Sequence, residues 1–209
     1  MNKPVLWYVA DPMCSWCWGF APVIKQIKQQ YSTTFTIKLL PGGLRPKTKV
    51  PFPAEKRAQI LQHWHNVHTT TGQPFTFDQA LPEDFIYDTE PACRSINSVS
   101  QIKPEQTFSF FAAIQHAFYV EQQDVTQSSV LTKLAENLSI STARFIADFQ
   151  SDSTKQHTLA GFQRAIQWGV NGFPTLIIEH DAKRYLLSTG YRPIEVLCPA
   201  LDKWLQQYI

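Results

Sequence analysis

The sequence predicts an α/β fold interrupted by a long all-helical insertion, on three grounds. Strand, helix and strand follow one another within the first 46 residues, strands return only near the C-terminal end, and the stretch between shows helical periodicity alone. The expected division is a discontinuous α/β domain of residues 1–46 and 152–209 carrying a helical insertion domain of residues 47–151.

Val5 to Ala10 is a continuous apolar run, as expected of a central strand covered on both faces. A helix is predicted from Ser15 to Tyr31, with Trp16, Phe20, Val23, Ile24 and Ile27 recurring at three- and four-residue spacing. Phe35 to Leu40 alternates and closes on Pro41-Gly42-Gly43, reading as a second strand parallel to the first. In the insertion, helices are expected over Ala54–Thr70, Pro91–Ser100, Glu105–Glu121, Ser128–Asn137 and Thr142–Phe149, each opened by a start signal such as Pro53, Ser128 or Ser141. A further helix, from Lys155 to Gln167, ends at Gly169. Thr175–Ile178 and Tyr185–Ser188 then form an antiparallel pair around a turn at His180–Lys183, and Pro193 opens the last helix.

Composition excludes several classes. The 209 residues are 44% hydrophobic and 13% aromatic, enough apolar surface to order a core of this size. Nineteen Lys and Arg against seventeen Asp and Glu leave +2, which gives no electrostatic case for nucleic acid or an anionic membrane as the main partner. No run reaches the ~20 apolar residues of a membrane-spanning helix. The opening Met1-Asn2-Lys3-Pro4 and its six-residue apolar run do not read as a secretory leader, so a cytoplasmic setting is expected.

Four cysteines are too few and too scattered for a secreted disulfide framework. Cys14 and Cys17 form one Cys-x-x-Cys, whereas Cys93 and Cys198 stand alone. A Cys-x-x-Cys where a buried strand turns into a helix points to redox chemistry. The thiolate is the reactive form, and the unpaired N–H groups and dipole of a helix N-terminus favour an anion at Cys14. Cys17, one turn further in, would be the less exposed partner, and its attack on a mixed disulfide at Cys14 would be intramolecular. A structural zinc site would need a second ligand pair. His63, His65 and His68 do not supply one, because only His65 and His68 share a helix face, and no metal is expected. A pair of inert core cysteines is the other alternative.

Two distant features favour the redox reading. Pro22 falls inside the predicted helix, where a proline costs ~3 kcal/mol unless a kink is required. Gly172-Phe173-Pro174-Thr175 places a proline at the start of a strand, a position suited to a cis bond that leaves the Phe173 backbone groups free for an extended substrate.

At these residues the sequence resembles the thioredoxin superfamily, and within it the DsbA-like branch, in which a thioredoxin fold carries a helical insertion. The run Asp11-Pro12-Met13-Cys14-Ser15-Trp16-Cys17-Trp18-Gly19-Phe20, with Glu90-Pro91-Ala92-Cys93-Arg94, is similar to cytoplasmic FrnE-like dithiol-disulfide isomerases. The resemblance implies a thiol-disulfide oxidoreductase or isomerase with Cys14 as attacking thiol, Cys17 as resolving thiol and Pro174 as cis proline. Ser15, Trp16, Phe173 and Pro174 would line the substrate site. Substrates would be protein or small-molecule thiols and disulfides, with no cofactor beyond the dithiol and glutathione as a possible reductant. Three departures matter. Tyr8 stands where a thioredoxin-type buried acid would sit, so Asp11 or a water would have to serve Cys17. Ser15-Trp16 does not specify a redox poise. Phe173 is bulkier than usual before such a proline and is expected to narrow the groove. Cys93 is expected to pack in the core with Ile96 or Val99, and Cys198 to be core or lightly exposed. The rival readings are a glutathione-dependent enzyme of the kappa transferase or chromene-carboxylate isomerase type, and a non-catalytic redox-sensing adaptor.

Overall fold

The computed structural model describes residues 3–208; Met1 and Asn2, which open the N-terminal run, lie outside it, as does Ile209. The chain runs β1 (Val5–Ala10), α1 (Ser15–Gly19), α2 (Ala21–Tyr31) and β2 (Thr36–Pro41), then α3 (Ala54–Thr71), α4 (Glu90–Ile102), α5 (Thr107–Tyr119), α6 (Ser128–Asn137), α7 (Thr142–Gln150) and α8 (Asp152–Gln167). It closes with β3 (Thr175–His180), β4 (Lys183–Thr189) and α9 (Ile194–Tyr208). The four strands form one sheet in the order β2-β1-β3-β4. β1 pairs parallel with β2 from Val5–Thr36 to Ala10–Pro41, and antiparallel with β3 from Val5–Glu179 to Val9–Thr175. This is the mixed α/β fold expected, with β1 at the centre.

Side-chain alternation along β1 divides the core. Leu6, Tyr8 and Ala10 face the main core together with Leu176 and Ile178, the buried positions of α2 and α9, and the aromatic residues of the insertion. Val9 points to the other face, where Leu40, Ile177 and Ala165 of α8 form a smaller cluster. A strand covered on both faces has no polar side to show, which accounts for its unbroken apolar sequence.

One helix departs from expectation. The predicted Ser15–Tyr31 helix is two, because α1 ends at Gly19 and α2 begins at Ala21. Pro22 therefore sits in the first turn of α2, where its missing N–H costs no intrahelical bond. The backbone stays right-handed helical through Phe20 (φ −84°, ψ −8°), so the break is a joint and not a loop. A short 3₁₀ turn, Pro104–Gln106, precedes α5, and β4 carries an irregularity opposite Leu176 and Ile177. The other predicted elements fall within a few residues of their observed ends.

Candidate active site

Cys14 and Cys17 lie where β1 gives way to α1. Cys14 is the N-cap, in extended conformation, with its N–H donated to the Asp11 carbonyl at 3.1 Å and its carbonyl accepting from Trp18 N–H at 3.1 Å. Both thiols are free. Cys14 is the more exposed of the two, as expected, but only 6% of its surface is open and Cys17 is fully enclosed. Burial pushes the Cys17 thiol well above its usual range; hydrogen bonding to Cys14 and the charges of Cys14 and Asp11 push the same way, against one opposing contact from the Asp11 main-chain N–H. Tyr8 also lies fully buried beneath the pair, its hydroxyl donating to the Cys17 carbonyl at 3.5 Å.

The loop before β3 closes over this dithiol. The Phe173–Pro174 bond is cis, and the Cys14 thiol donates to the Phe173 carbonyl at 3.7 Å across 159 residues of sequence. Gly190, at φ +75°, donates its N–H to the Pro174 carbonyl at 2.8 Å and fixes the loop from the far end of β4. The Phe173 ring packs against Gly42, where any Cβ would overlap it. Ser15 and Trp16 remain half-buried, and the Trp16 ring lies 5.9 Å from that of Tyr191. All six residues named from the sequence thus meet at one end of the sheet: Cys14, Ser15, Trp16 and Cys17 from the first turn, Phe173 and Pro174 from the loop.

Asp11 is the group whose surroundings the sequence did not reveal. Its carboxylate is fully buried and accepts from the Met13 N–H at 2.8 Å, the Leu44 N–H at 2.6 Å and the Cys93 thiol at 3.4 Å. The Thr89 hydroxyl supplies a fourth bond while its own oxygen accepts from the Arg45 N–H at 3.1 Å. Burial raises the carboxyl above the usual carboxylate range, and the four donors partly offset that. Cys93 is fully buried, as expected, but its sulfur faces Asp11 instead of ending in purely apolar packing. Burial, then the neighbouring Asp11 charge, holds the Cys93 thiol well above its usual range.

The insertion forms the remaining wall. Tyr87 donates its hydroxyl to the Met13 carbonyl, and Trp18 stacks on Tyr119 with ring centres 6.1 Å apart and planes 9° apart. Phe110, Phe111, Phe118 and Tyr119 of α5 are buried, as core residues would be, and Phe111 meets the Tyr8 ring edge-on at 5.8 Å. Two of the three histidines of α3 have local partners: His65 stacks on Phe77 with ring centres 3.9 Å apart, and His68 Nδ1 is 2.8 Å from the Gln73 carbonyl. Cys198 lies half-buried on α9, its sulfur 3.1 Å from Gln30 Oε1 and remote from the dithiol loop.

Fold and site together define a thioredoxin fold bearing a helical insertion, with a dithiol on the first helix and a cis proline facing it, in the DsbA-like manner. A family model described as thioredoxin matches residues 7–197, and the chain belongs to that family. Among solved structures it is similar to a candidate protein disulfide isomerase from Nitrosomonas europaea, 64% identical over the whole of both chains with a TM-score of 0.96. It is also similar to the cytosolic disulfide reductase DsbM from Pseudomonas aeruginosa, 25% identical over 97% of this chain and 99% of that one, with a TM-score of 0.80. A curated relative, the ClpXP adapter protein SpxH of Halalkalibacterium halodurans, is 24% identical over 98% of this chain and 69% of its own length. No helix among the described residues is long and apolar enough to cross a membrane.

Proposed function

We propose that the protein is a thiol-disulfide oxidoreductase working through Cys14 and Cys17. One observation carries this reading: the Cys14 thiol, at the N-cap of α1 with Cys17 one turn deeper, lies against the Phe173 carbonyl beside a cis proline. A substrate disulfide R–S–S–R′ laid along Phe173 would present its sulfur to Cys14. The Cys14 thiolate attacks that sulfur, the S–S bond breaks, and R′–S⁻ leaves to take a proton from solvent. Cys17 then gives its proton to the Asp11 carboxylate and attacks the Cys14 sulfur, expelling R–S⁻. The substrate has gained two electrons and the enzyme now holds a Cys14–Cys17 disulfide. Run backwards, the same steps oxidise a dithiol.

The difference in burial supports this division of roles. The thiol held well above its usual range, Cys17, is unsuited to attack solvent-borne substrates and depends on an internal acceptor, whereas Cys14 is the one with an opening. Protein or small-molecule disulfides are the proposed substrates, glutathione the proposed source of reducing equivalents, and the cytosol the proposed setting. The likeness to DsbM, a cytosolic disulfide reductase by name, supports the last of these. The intact thiol pair speaks against a kappa-type transferase or chromene-carboxylate isomerase, chemistries that need no resolving cysteine.

A Cys14→Ser variant is expected to lose turnover of a small disulfide in the presence of glutathione, while Cys17→Ser stalls as a mixed disulfide visible by mass spectrometry. Undiminished turnover by Cys14→Ser would refute the assignment. The similarity to SpxH, an adapter by name, favours one second reading, in which oxidation of the pair changes the affinity for a protein partner. That reading expects exchange too slow for turnover but partner capture that depends on oxidation.

A further inference from the structure

A buried carboxylate that is to accept a proton meets a difficulty when every lone pair already has a donor. Asp11 has four: the Met13 and Leu44 amides, the Thr89 hydroxyl and the Cys93 thiol. The two amides are fixed by the backbone. The Thr89 hydroxyl is constrained because its oxygen is already engaged by the Arg45 N–H. Only the Cys93 S–H, a weak donor on a freely rotating bond, can turn away and leave its sulfur to accept the new O–H. Main-chain amides cannot reverse in this way, and an alanine at position 93 would offer neither form a partner.

We propose that Cys93 is a positioning residue for disulfide exchange, acting through Asp11: its thiol donates to the carboxylate at rest and turns to accept from the carboxylic acid when Asp11 takes the Cys17 proton. The proposal rests on the reading of Cys14 and Cys17 as the exchange pair. No electrons move in this step. One proton passes from the Cys17 sulfur to an Asp11 oxygen, the S–H···O bond from Cys93 becomes an O–H···S bond to it, and the proton later returns to solvent as the departing thiolate is neutralised. The proposed role also makes an insertion residue part of the exchange machinery, since Cys93 and Thr89 both belong to the start of α4.

The groups facing Asp11 are few. Cys17 comes from α1, Cys93 from α4, Tyr87 from the segment before α4, and Tyr119 from the end of α5. Arg45 lies beside Tyr87, its guanidinium 5.8 Å from the ring centre, and Glu90, next to Cys93, is tied to Arg94 at 2.8 Å. The two tyrosines are held well above their usual range by burial and remain neutral while Asp11 titrates. The acid limb of the Cys17 step therefore reports Asp11.

The test uses the reduced full-length chain with Cys198→Ser in every variant, so that the half-buried thiol of α9 does not react. Mixing with 5,5′-dithiobis(2-nitrobenzoate) releases one coloured thiolate when Cys14 is modified and a second when Cys17 resolves the mixed disulfide. The rate of the second release is followed from about pH 5 to about pH 8. Cys93→Ala loses a donor to the carboxylate, so its acid limb is expected about half to one pH unit higher, with a rate ~3- to 10-fold lower near pH 6. Cys93→Ser keeps a group able to donate and accept and donates more strongly, so its limb is expected below that of the parent. An alanine limb that coincides with the parent's overturns the proposal, however much the variant is destabilised. Should Cys93→Ala not fold, Cys93→Ser decides: its stronger donor must move the limb below the parent's, and a shared limb overturns the proposal. Absence of the second release in the parent itself would instead overturn the exchange reading.

Discussion

Gly42 has no side chain because the Phe173 ring occupies the place where one would project. The contact holds the residue that hydrogen-bonds Cys14, so the end of β2 and the proline loop support each other beside the reactive sulfur. Gly42→Ala is expected to destabilise the protein by about 1–3 kcal/mol, the usual cost of overpacking a filled position. Adding Phe173→Leu to it should recover part of that loss, and a double-mutant cycle in urea checks the coupling. If both changes simply add, the ring does not lean on Gly42. The sign of the pH response can be fixed at single thiols as well. Cys17 and Cys93 are held well above their usual range in the folded chain, whereas unfolded thiols ionise near pH 8.5. Above that value the unfolded state binds fewer protons, so stability falls with rising pH by about 1.4 kcal/mol per pH unit for each thiol, until the folded thiols ionise as well. Urea unfolding of the reduced protein at about pH 8, 9 and 10 measures the slope, and Cys93→Ser should reduce it.

Helix ends test how far local chemistry decides local structure. Ser151 caps α8 by accepting from the Thr154 N–H at 3.1 Å, while Ser141 caps α7 through a longer contact, 3.5 Å to the Arg144 N–H. Ser151→Ala is expected to cost about 1 kcal/mol and Ser141→Ala less, since a bond at the limit of hydrogen-bonding distance contributes little. Thermal melts of the two variants side by side give the comparison. Caps of this kind are written in adjacent residues, and the bounds of Ser128–Asn137 and of the apolar run of β1 were likewise legible to the residue from local sequence. The division between α1 and α2 was less legible: the same apolar spacing continues through Phe20, and only the position of Pro22 hints that a new helix has begun. The thiol pair and the proline loop were readable because each is a short motif. The environment of Asp11 was not, for its partners at position 44 and at positions 89 and 93 come from two segments distant in sequence and brought together by the fold, and no local pattern records that meeting. The only sign was Tyr8 in the place of an expected acid, with Asp11 the nearest alternative.

The molecule as a whole is organised around β1, which pairs with β2 just after it in sequence and with β3 some 170 residues later. Trp7 reinforces the distant pairing through a 2.7 Å hydrogen bond from its indole N–H to Glu179. The helical insertion lies between these two halves and contributes Tyr87, Thr89 and Cys93 around the dithiol loop. Stability and reactivity therefore share the same long-range contacts. During synthesis the order of events follows from this arrangement. Cys14 leaves the ribosome 159 residues before Phe173, a lag of roughly 10–30 s at ordinary elongation rates. For that interval the nascent chain carries both sulfurs without the carbonyl that will receive one of them, and without the strand that completes the sheet beneath. A growing polypeptide in this state is open to premature oxidation, which a reducing environment at the exit tunnel would prevent.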